Sequence, residues 1–496
     1  MSTRAIVIGA GFSGLSAAAS LAQKGFAVTL VEKNAEPGGR ARVLRENGFT
    51  FDMGPSWYWM PEIFEQWFQR FGSSVEEHYE LRRLDPSYQV IFSEADRWNL
   101  AASREELKAL FDRIEPGAAA KLDSFLAEAK IKYDLGMADL VRGPALSWFE
   151  YAKPRVFKGL LSTTVFRSLR DHVADSFTDP RLRMLLEFPV LFLGAAPDRT
   201  PALYSLMNYA DMSLGTWYPM GGMGKIIDGM VGIAKSQGVH FRMGTPVDKI
   251  LVEQDKAVGV QVGATTLRAD VVIASADYHH VDNDLLSSTD RNYSEGYWDQ
   301  RVMAPSSLLF YCGFNTRLGG LEHHNLFFDE SLDQHVHEIY TDPKWPSKPL
   351  MYVCAPSITD PSVAPNGHEN LFVLIPIAAG LTDTPEVRER YRVRIMDRLS
   401  LRCGTDVARH LVYERSYCIN DFKVDYNAYR GNAYGLANTL RQTAVLKPSM
   451  KNRHVKGLYY TGQLTVPGPG VPPSLISGQV VADLVVKENT PKRQRA

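Results

Sequence analysis

The residues whose types and spacing could do chemistry begin at a run of glycines. Gly9, Gly11 and Gly14 stand as G-x-G-x-x-G, with Phe12 and Ser13 between the last two. Gly9 suits a tight turn, Gly11 a close backbone approach to a pyrophosphate, and Gly14 close packing of helix on strand. A helix starting there offers unpaired N–H groups and its positive dipole end to a diphosphate. Glu32, followed by Lys33, sits where a carboxylate accepts hydrogen bonds from an adenosine ribose. Glu36-Pro37-Gly38-Gly39-Arg40 adds two more glycines and an arginine for an anionic group.

Those residues need particular elements to hold them. The apolar run from Ala5 to Ile8 reads as a buried parallel strand. An alanine-rich helix is predicted from Leu15 to Lys24, stopped by Gly25, and a second strand from Ala27 to Val31 ends at Glu32. The acidic end favours a ribose with a free 2′-hydroxyl, hence FAD or NAD over NADP. The extension to Arg40 resembles the FAD-binding start of glutathione-reductase-like flavoproteins rather than an NAD dehydrogenase. FAD is the expected cofactor.

A chain of 496 residues implies two to three domains. Its 45% hydrophobic and 22% charged residues are ordinary for a soluble globular protein, and a net charge of −1 gives no reason to expect nucleic acid. Cys312, Cys354, Cys403 and Cys418 are far apart, which reads as reduced thiols in a cytoplasmic protein. No signal peptide is expected, since the N-terminal apolar stretch is broken by glycines. The apolar run Leu371 to Leu381 is shorter than the ~20 residues a membrane span needs, so any membrane contact is expected to be peripheral.

Beyond the glycines, Phe49 to Asp52 alternates like a strand, Gly54-Pro55 is a turn, and Ser56 precedes the crowded Trp57, Tyr58, Trp59 and Met60. These aromatics suit either a core corner or an apolar surface beside a flavin. Residues from about Ser103 to Arg199 look largely helical, with Ser103 and Glu106 at capping-box spacing. Within them Leu146, Trp148, Phe149, Tyr151, Val156, Phe157, Leu160 and Leu161 are edged by Lys153, Arg155, Lys158 and Arg167. That pattern suits a membrane headgroup layer or a core helix with a solvated edge. A glycine-rich turn, Trp217 to Gly224, includes Tyr218 and Met220 and leads to a helix from Ile226 to Gln237, a hairpin of Lys249 to Val252 and Ala257 to Val262, and a buried strand over Arg268 to Ala276. Alternating runs at Ser307 to Tyr311, Leu350 to Ala355 and Asn370 to Pro376 read as an antiparallel sheet. His323, His324, His335 and His337 lack helical ligand spacing and a carboxylate set, so no metal is expected. Near the end, Gly457 to Gln463 reads as a strand ending in glycine, followed by the proline- and glycine-rich Leu464 to Pro473 and a helix from Ser474 to Val486, a second helix N-terminus after a glycine-rich turn. The basic tail, with Lys487, Lys492, Arg493 and Arg495, reads as a solvated end with weak attraction for anionic lipid.

With these motifs in view, the chain resembles the bacterial carotenoid (phytoene) desaturase family of amine-oxidase-like flavoproteins. The resemblance rests on Gly9 to Glu32, Pro37 to Ala41, Phe51 to Ser56, Tyr218 to Met223, Gly431 to Gly435 and, most specifically, Thr461 to Ser474. It implies FAD held by Gly9, Gly11, Phe12, Ser13, Gly14, Glu32, Lys33, Gly39, Arg40 and, through its backbone, Val247. It further implies Gly54, Pro55, Ser56, Gly462, Gln463, Pro473, Ser474, Leu475 and Ile476 about the flavin, with Gln463 standing where many flavoproteins carry an Asp. Trp57, Tyr58, Trp59, Tyr218, Met220 and Tyr434 would line an apolar substrate tunnel.

The implied fold is a Rossmann-like FAD-binding domain split by insertions, with an antiparallel-sheet substrate domain and a helical membrane-associating region. The expected division is 1–80, 216–280 and 446–496 for the FAD domain, 81–215 for the helical region and 281–445 for the substrate sheet and helices. The implied activity is desaturation of an acyclic carotene, phytoene toward neurosporene or lycopene. Its partners would be the carotenoid, a lipid surface at the inner face of the cell membrane, and a quinone or oxygen as electron acceptor, with oligomerisation left open. No protein base is identified by sequence. A 1-hydroxycarotenoid 3,4-desaturase, with a polar tunnel end, and a carotenoid isomerase are the alternatives within the family. An amine oxidase would carry an aromatic cage for its amine, and GDI-type binding modules share the fold without flavin chemistry.

Overall fold

Five short apolar runs drawn from the beginning, middle and end of the chain make one parallel sheet. The computed structural model describes residues 2–152, 154, 167–439 and 441–489. In it the sheet order is Leu458–Tyr460, Val271–Ala274, Arg4–Ile8, Ala27–Val31 and His240–Arg242, every neighbouring pair parallel. Its inner strands are apolar in succession because both faces are covered. One face packs on helices Phe12–Gln23, Gly224–Ser236 and Val471–Asn489. The other packs on a three-stranded antiparallel sheet, Lys249–Glu253, Lys256–Val262 and Thr265–Arg268, and on helix Tyr278–Asp284. The first helix begins at Phe12, three residues before its apolar periodicity, because Gly11 already serves as its cap. The last begins at Val471, with Pro472 and Pro473 in its first turn, where their missing N–H groups cost nothing.

The first and last helices touch along their length, and Gly478 makes this approach possible. A Cβ there would run into the Ser13 carbonyl and the Ser16 side chain. Ser16 Oγ donates to the Leu475 carbonyl at 2.8 Å across the same contact.

A second sheet of seven strands runs Leu411–Tyr417, Ser306–Phe314, Glu369–Ile377, Met351–Cys354, His324–Phe327, Tyr88–Ile91 and Arg97–Leu100. All pairs are antiparallel except the one joining His324–Phe327 to Tyr88–Ile91. Alternation divides its faces. Phe310, Val373 and Ile375 pack on helix Pro385–Cys403, whereas Leu309, Tyr311, Phe372, Leu374 and Tyr352 turn toward the dinucleotide sheet and its helices.

The helical reading of 81–215 needs correction at its start. Tyr88–Ile91 and Arg97–Leu100 are strands of the seven-stranded sheet, and at four residues each they are too short for alternation to stand out in sequence. Helices follow at Arg104–Ile114, Ala118–Leu135, Leu169–Ser176, Pro180–Glu187 and Leu206–Met212, and Ser103 caps the first by accepting from the Glu106 N–H. Lys153, Arg155, Val156, Phe157, Lys158, Leu160, Leu161, Lys492, Arg493 and Arg495 lie outside the described residues. Trp148 and Phe149, in the short helix Trp148–Tyr151, are 63% and 89% exposed, with Leu146 exposed beside them. Among the described residues no helix is long and apolar enough to cross a membrane.

Candidate functional site

The main pocket lies at the carboxyl ends of the parallel strands, where helix N-termini converge. Gly9, at φ +102°, turns the chain from strand to helix. Gly14 lies against that turn, and a Cβ on it would overlap the Gly9 carbonyl oxygen. Gly14 therefore serves the packing of the turn and is not on the pocket wall, whereas Gly9, Gly11, Phe12 and Ser13 are. Among the described residues no side chain caps the helix at Gly11, so its first N–H groups stay available to an anion. Ser13 Oγ bonds Ser275 Oγ at 2.7 Å, tying the helix to the end of the neighbouring strand.

Glu32 is buried on the pocket wall. It accepts from the Ala10 N–H at 2.7 Å and the Asn34 N–H at 2.9 Å, which fix its carboxylate in place. Lys33 also lines the pocket but donates to the Val424 carbonyl and, at 3.1 Å, to Asn427 Oδ1; burial lowers its pKa against the pull of Asp425 and Glu32. Arg40 is the cation of this wall. Burial lowers its pKa and the buried Asp277 opposes that shift, while burial raises the carboxyl of Asp277 itself. The Arg40 guanidinium lies 5.1 Å over the Tyr426 ring and donates through Nη2 to the Asn432 carbonyl. In the amide orientation that satisfies its neighbours, Gln463 accepts from Arg40 Nη2 at 3.1 Å. Arg40 Nε is buried with no hydrogen-bond partner among the described residues. An incompletely paired guanidinium on a wall shared with two helix N-termini fits a diphosphate.

Gly39, Gly54, Pro55, Val247, Gly462, Gln463 and Ser474 reach the same pocket. Ser56, Pro473, Leu475 and Ile476 do not. Leu475 and Ile476 are buried in the helix packing, where Leu475 bonds Ser16, and Pro473 packs beside Gly470. Ser56 is turned to the Tyr352 hydroxyl, 2.9 Å away. Sequence reading missed Ser275, Asp277, Tyr426, Leu309 and Leu374, all on the wall. They carry no local motif: Leu309 and Leu374 arrive through strand register, Ser275 and Asp277 follow the strand Val271–Ala274, and Tyr426 ends the helix Ile419–Tyr426.

The seven-stranded sheet closes the pocket opposite the glycines with Ser307, Leu309 and Leu374, joined by Met53, Ala433 and Tyr434. Of the six expected tunnel residues Tyr434 alone lines it. Tyr58 stacks on Phe64 at 4.3 Å and bonds the Tyr79 hydroxyl. Trp59 Nε1 donates to Thr216 Oγ1. Tyr218 donates to Asp360 Oδ2 and packs on His323, and Met220 N–H donates to the Glu80 carbonyl in a turn. Trp57 is half-buried, with its ring parallel to His324 at 4.2 Å and close to Trp59, Tyr88 and Tyr352. The turn around Gly221 to Gly224 is a structural clasp: Met223 and Gly224 N–H groups donate to Asp52, whose carboxyl is pushed up to about 6 by desolvation.

Strand pairing sets His324 against Cys354, a neighbour that reading along the chain does not reveal. Donor atoms of His323, His324 and Cys354 lie within 4.8 Å of one another. His324 Nδ1 bonds the Tyr352 hydroxyl at 2.7 Å and His323 Nδ1 bonds Thr359 Oγ1 at 2.7 Å. Burial holds both imidazoles neutral, His323 down to about 3 despite Asp360 and His324 lower than its usual range, and pushes the Cys354 thiol up to about 12.

Residues 12–486 match the model of the flavin containing amine oxidoreductase family. The carotenoid 3,4-desaturase of Haloarcula japonica is 39% identical over 97% of this chain and 98% of its own. The zeta-carotene-forming phytoene desaturase of Myxococcus xanthus is 32% identical over 97% and 93%. An oxidoreductase of Methanosarcina mazei shares the fold, at a TM-score of 0.62 and 17% identity over 97% of this chain and 100% of its own. The chain belongs to the flavin containing amine oxidoreductase family and, within it, to the carotenoid desaturases. It is an FAD-dependent oxidoreductase acting on CH–CH bonds.

Proposed function

We propose that this desaturase removes two hydrogens from the 3,4 bond of a carotenoid that carries a hydroxyl near that bond. The observation that carries the reading is 39% identity along nearly the whole chain to a carotenoid 3,4-desaturase. When bound, FAD supplies the acceptor for a hydride from a saturated carbon. The protein's work is to hold the chain and keep water out. Leu309, Leu374, Met53 and Ala433 give an aliphatic wall suited to a polyene, which offers almost nothing to hydrogen-bond. On the other side Gly9, Gly11, Phe12, Ser13, Glu32, Lys33, Gly39, Arg40, Gly54, Pro55, Val247, Gly462, Gln463 and Ser474 are the residues that would hold FAD, and Gly14 would shape the turn beneath it.

Phytoene is the second reading. It is favoured by 32% identity over 97% of the chain to a phytoene desaturase. For either substrate, exposed Leu146, Trp148 and Phe149 are the groups suited to enter the headgroup layer of the cell membrane's inner face, from which a water-insoluble chain must be drawn. The electrons then pass to a quinone or oxygen.

The test is the FAD-loaded protein in liposomes with an acceptor, offered a 1-hydroxycarotenoid or phytoene. A red-shifted product from the hydroxylated chain alone supports the 3,4 reading. Stepwise bands from phytoene alone replace it with the second. Isomerisation without consumption of an acceptor removes both.

A further inference from the structure

Among the described residues, two buried side-chain atoms of the pocket lining have no hydrogen-bond partner: Arg40 Nε and Ser307 Oγ. They stand on opposite sides. Arg40 belongs to the wall suited to a diphosphate, which would satisfy it. Ser307 belongs to the seven-stranded sheet, is 1% exposed, and has no such use. A buried hydroxyl left unpaired is costly, and native structures seldom keep one without a reason.

The surroundings of Ser307 are aliphatic. On its strand it shares the pocket-facing side with Leu309, and across the ladder it stands opposite Pro376, two residues from Leu374. Hydroxyls elsewhere on the lining are already engaged: Ser13 with Ser275, Tyr278 on the Ser449 carbonyl, and Thr461 with Ser477. The polar group beside Ser307 is Tyr434, which is partly exposed and lines the same wall. Desolvation pushes the Tyr434 phenol up to about 12, and the Ser307 hydroxyl draws it back. The two hydroxyls are neighbours, yet Ser307 Oγ has not closed a hydrogen bond. Tyr434 is also positioned from the other side of the pocket. The Gly435 N–H donates to Asn432 Oδ1 at 2.8 Å, and a Cβ on Gly435 would come within 3.2 Å of the Gln463 carbonyl oxygen. The hydroxyl pair therefore stands where the aliphatic wall meets Gln463.

We infer that the Tyr434 and Ser307 hydroxyls together receive the substrate's hydroxyl oxygen and so determine specificity for an oxygen-bearing chain. The inference rests on the 3,4-desaturase reading. Each of the two hydroxyls both donates and accepts, so an alcohol oxygen between them donates to one and accepts from the other. A hydrocarbon end does neither and leaves both unpaired on a wall closed to water. Reach agrees as well. A hydroxyl on C1 is three bonds from C3, roughly 4 Å at most, so its partners have to stand beside the cofactor side of the pocket rather than at a distant tunnel end. The junction at Gln463 meets that demand.

The experiment compares kcat/KM of the FAD-loaded enzyme in liposomes for a 1-hydroxycarotenoid and for the same chain lacking the hydroxyl. The wild type is expected to favour the hydroxylated chain about 100-fold, since a site built for a hydroxyl rejects the analogue without it. Tyr434→Phe and Ser307→Ala each delete one oxygen with little change of shape, and each should lower that ratio about tenfold. The double variant should bring it to within about threefold of one. Ser307→Thr, which keeps the hydroxyl, should retain most of the preference. A wild type that favours the hydroxylated chain, with an unchanged ratio in Tyr434→Phe or Ser307→Ala, overturns the role of the pair and leaves the 3,4 reading standing. A fall in FAD affinity in both variants, with the ratio kept, would set the two hydroxyls against the cofactor and overturn the inference as well. A wild-type ratio at or below one overturns the 3,4 reading and the inference with it.

Discussion

The side of the pocket proposed for the cofactor and the side proposed for the substrate are built by different means. On the cofactor side, backbone does most of the work: glycines at 9 and 14 permit the turn, helix N–H groups face the pocket, and Glu32 and Arg40 sit close in sequence. On the other side, wall residues from separate strands meet only because of register, as Leu309 does beside Leu374. The first surface is suited to a fixed ligand. The second can change with single side chains while the first stays as it is.

The sharpest separation should come from Gly14→Val. Its side chain would collide with the Gly9 carbonyl, so flavin content of the purified protein should fall to about a tenth or less of wild type, measured by absorbance after denaturation. Arg40→Met removes the buried cation that faces Asp277. FAD affinity should fall roughly 10- to 100-fold by fluorescence titration, while the substrate preference of the loaded fraction stays the same. A changed preference would break the division between the two sides. The double variant Trp148→Ser, Phe149→Ser removes exposed apolar surface outside the pocket lining. Co-sedimentation with anionic vesicles should drop about tenfold with flavin content unaltered.

The smallest effect concerns Asp211, which is buried and accepts from Tyr88 at 2.7 Å. Burial pushes its carboxyl up to about 7, against the hydrogen bonds from Tyr88 and Thr216. The folded protein therefore keeps a proton that the unfolded chain releases near pH 4. The stability this contributes is full below about pH 4 and is lost as pH rises to about 7. Asp211→Asn should flatten that decline, shrinking the wild-type difference in Tm between pH 5 and pH 8 by a few degrees in a thermal melt.

What was legible in the sequence follows the same division. Gly9, Gly11, Glu32, Gly39 and Arg40 could be read because their needs are local, and each stands on the pocket wall. Tyr58, Trp59 and Tyr218 look like substrate contacts in sequence, yet their polar atoms are committed to Tyr79, Thr216 and Asp360 inside the core. Aromatic density alone cannot tell a wall from a core corner. The glycine-rich turn near Gly222 is legible as a motif, but its use is to hold Asp52. The place of strand Tyr88–Ile91 beside His324–Phe327 and the pairing of His324 with Cys354 depend on partners 236 and 30 residues distant respectively, and no short window along the chain contains them.

The most direct measurement is anaerobic: the FAD-loaded protein in vesicles is mixed with a carotenoid or with an alkyl diamine, and the flavin absorption band is followed. Bleaching by the carotenoid, with red-shifted polyene bands appearing at an equal rate and no response to the diamine, is the predicted result. Bleaching by the diamine, with none by any carotenoid, would contradict the assignment of the sheet-lined wall to a polyene.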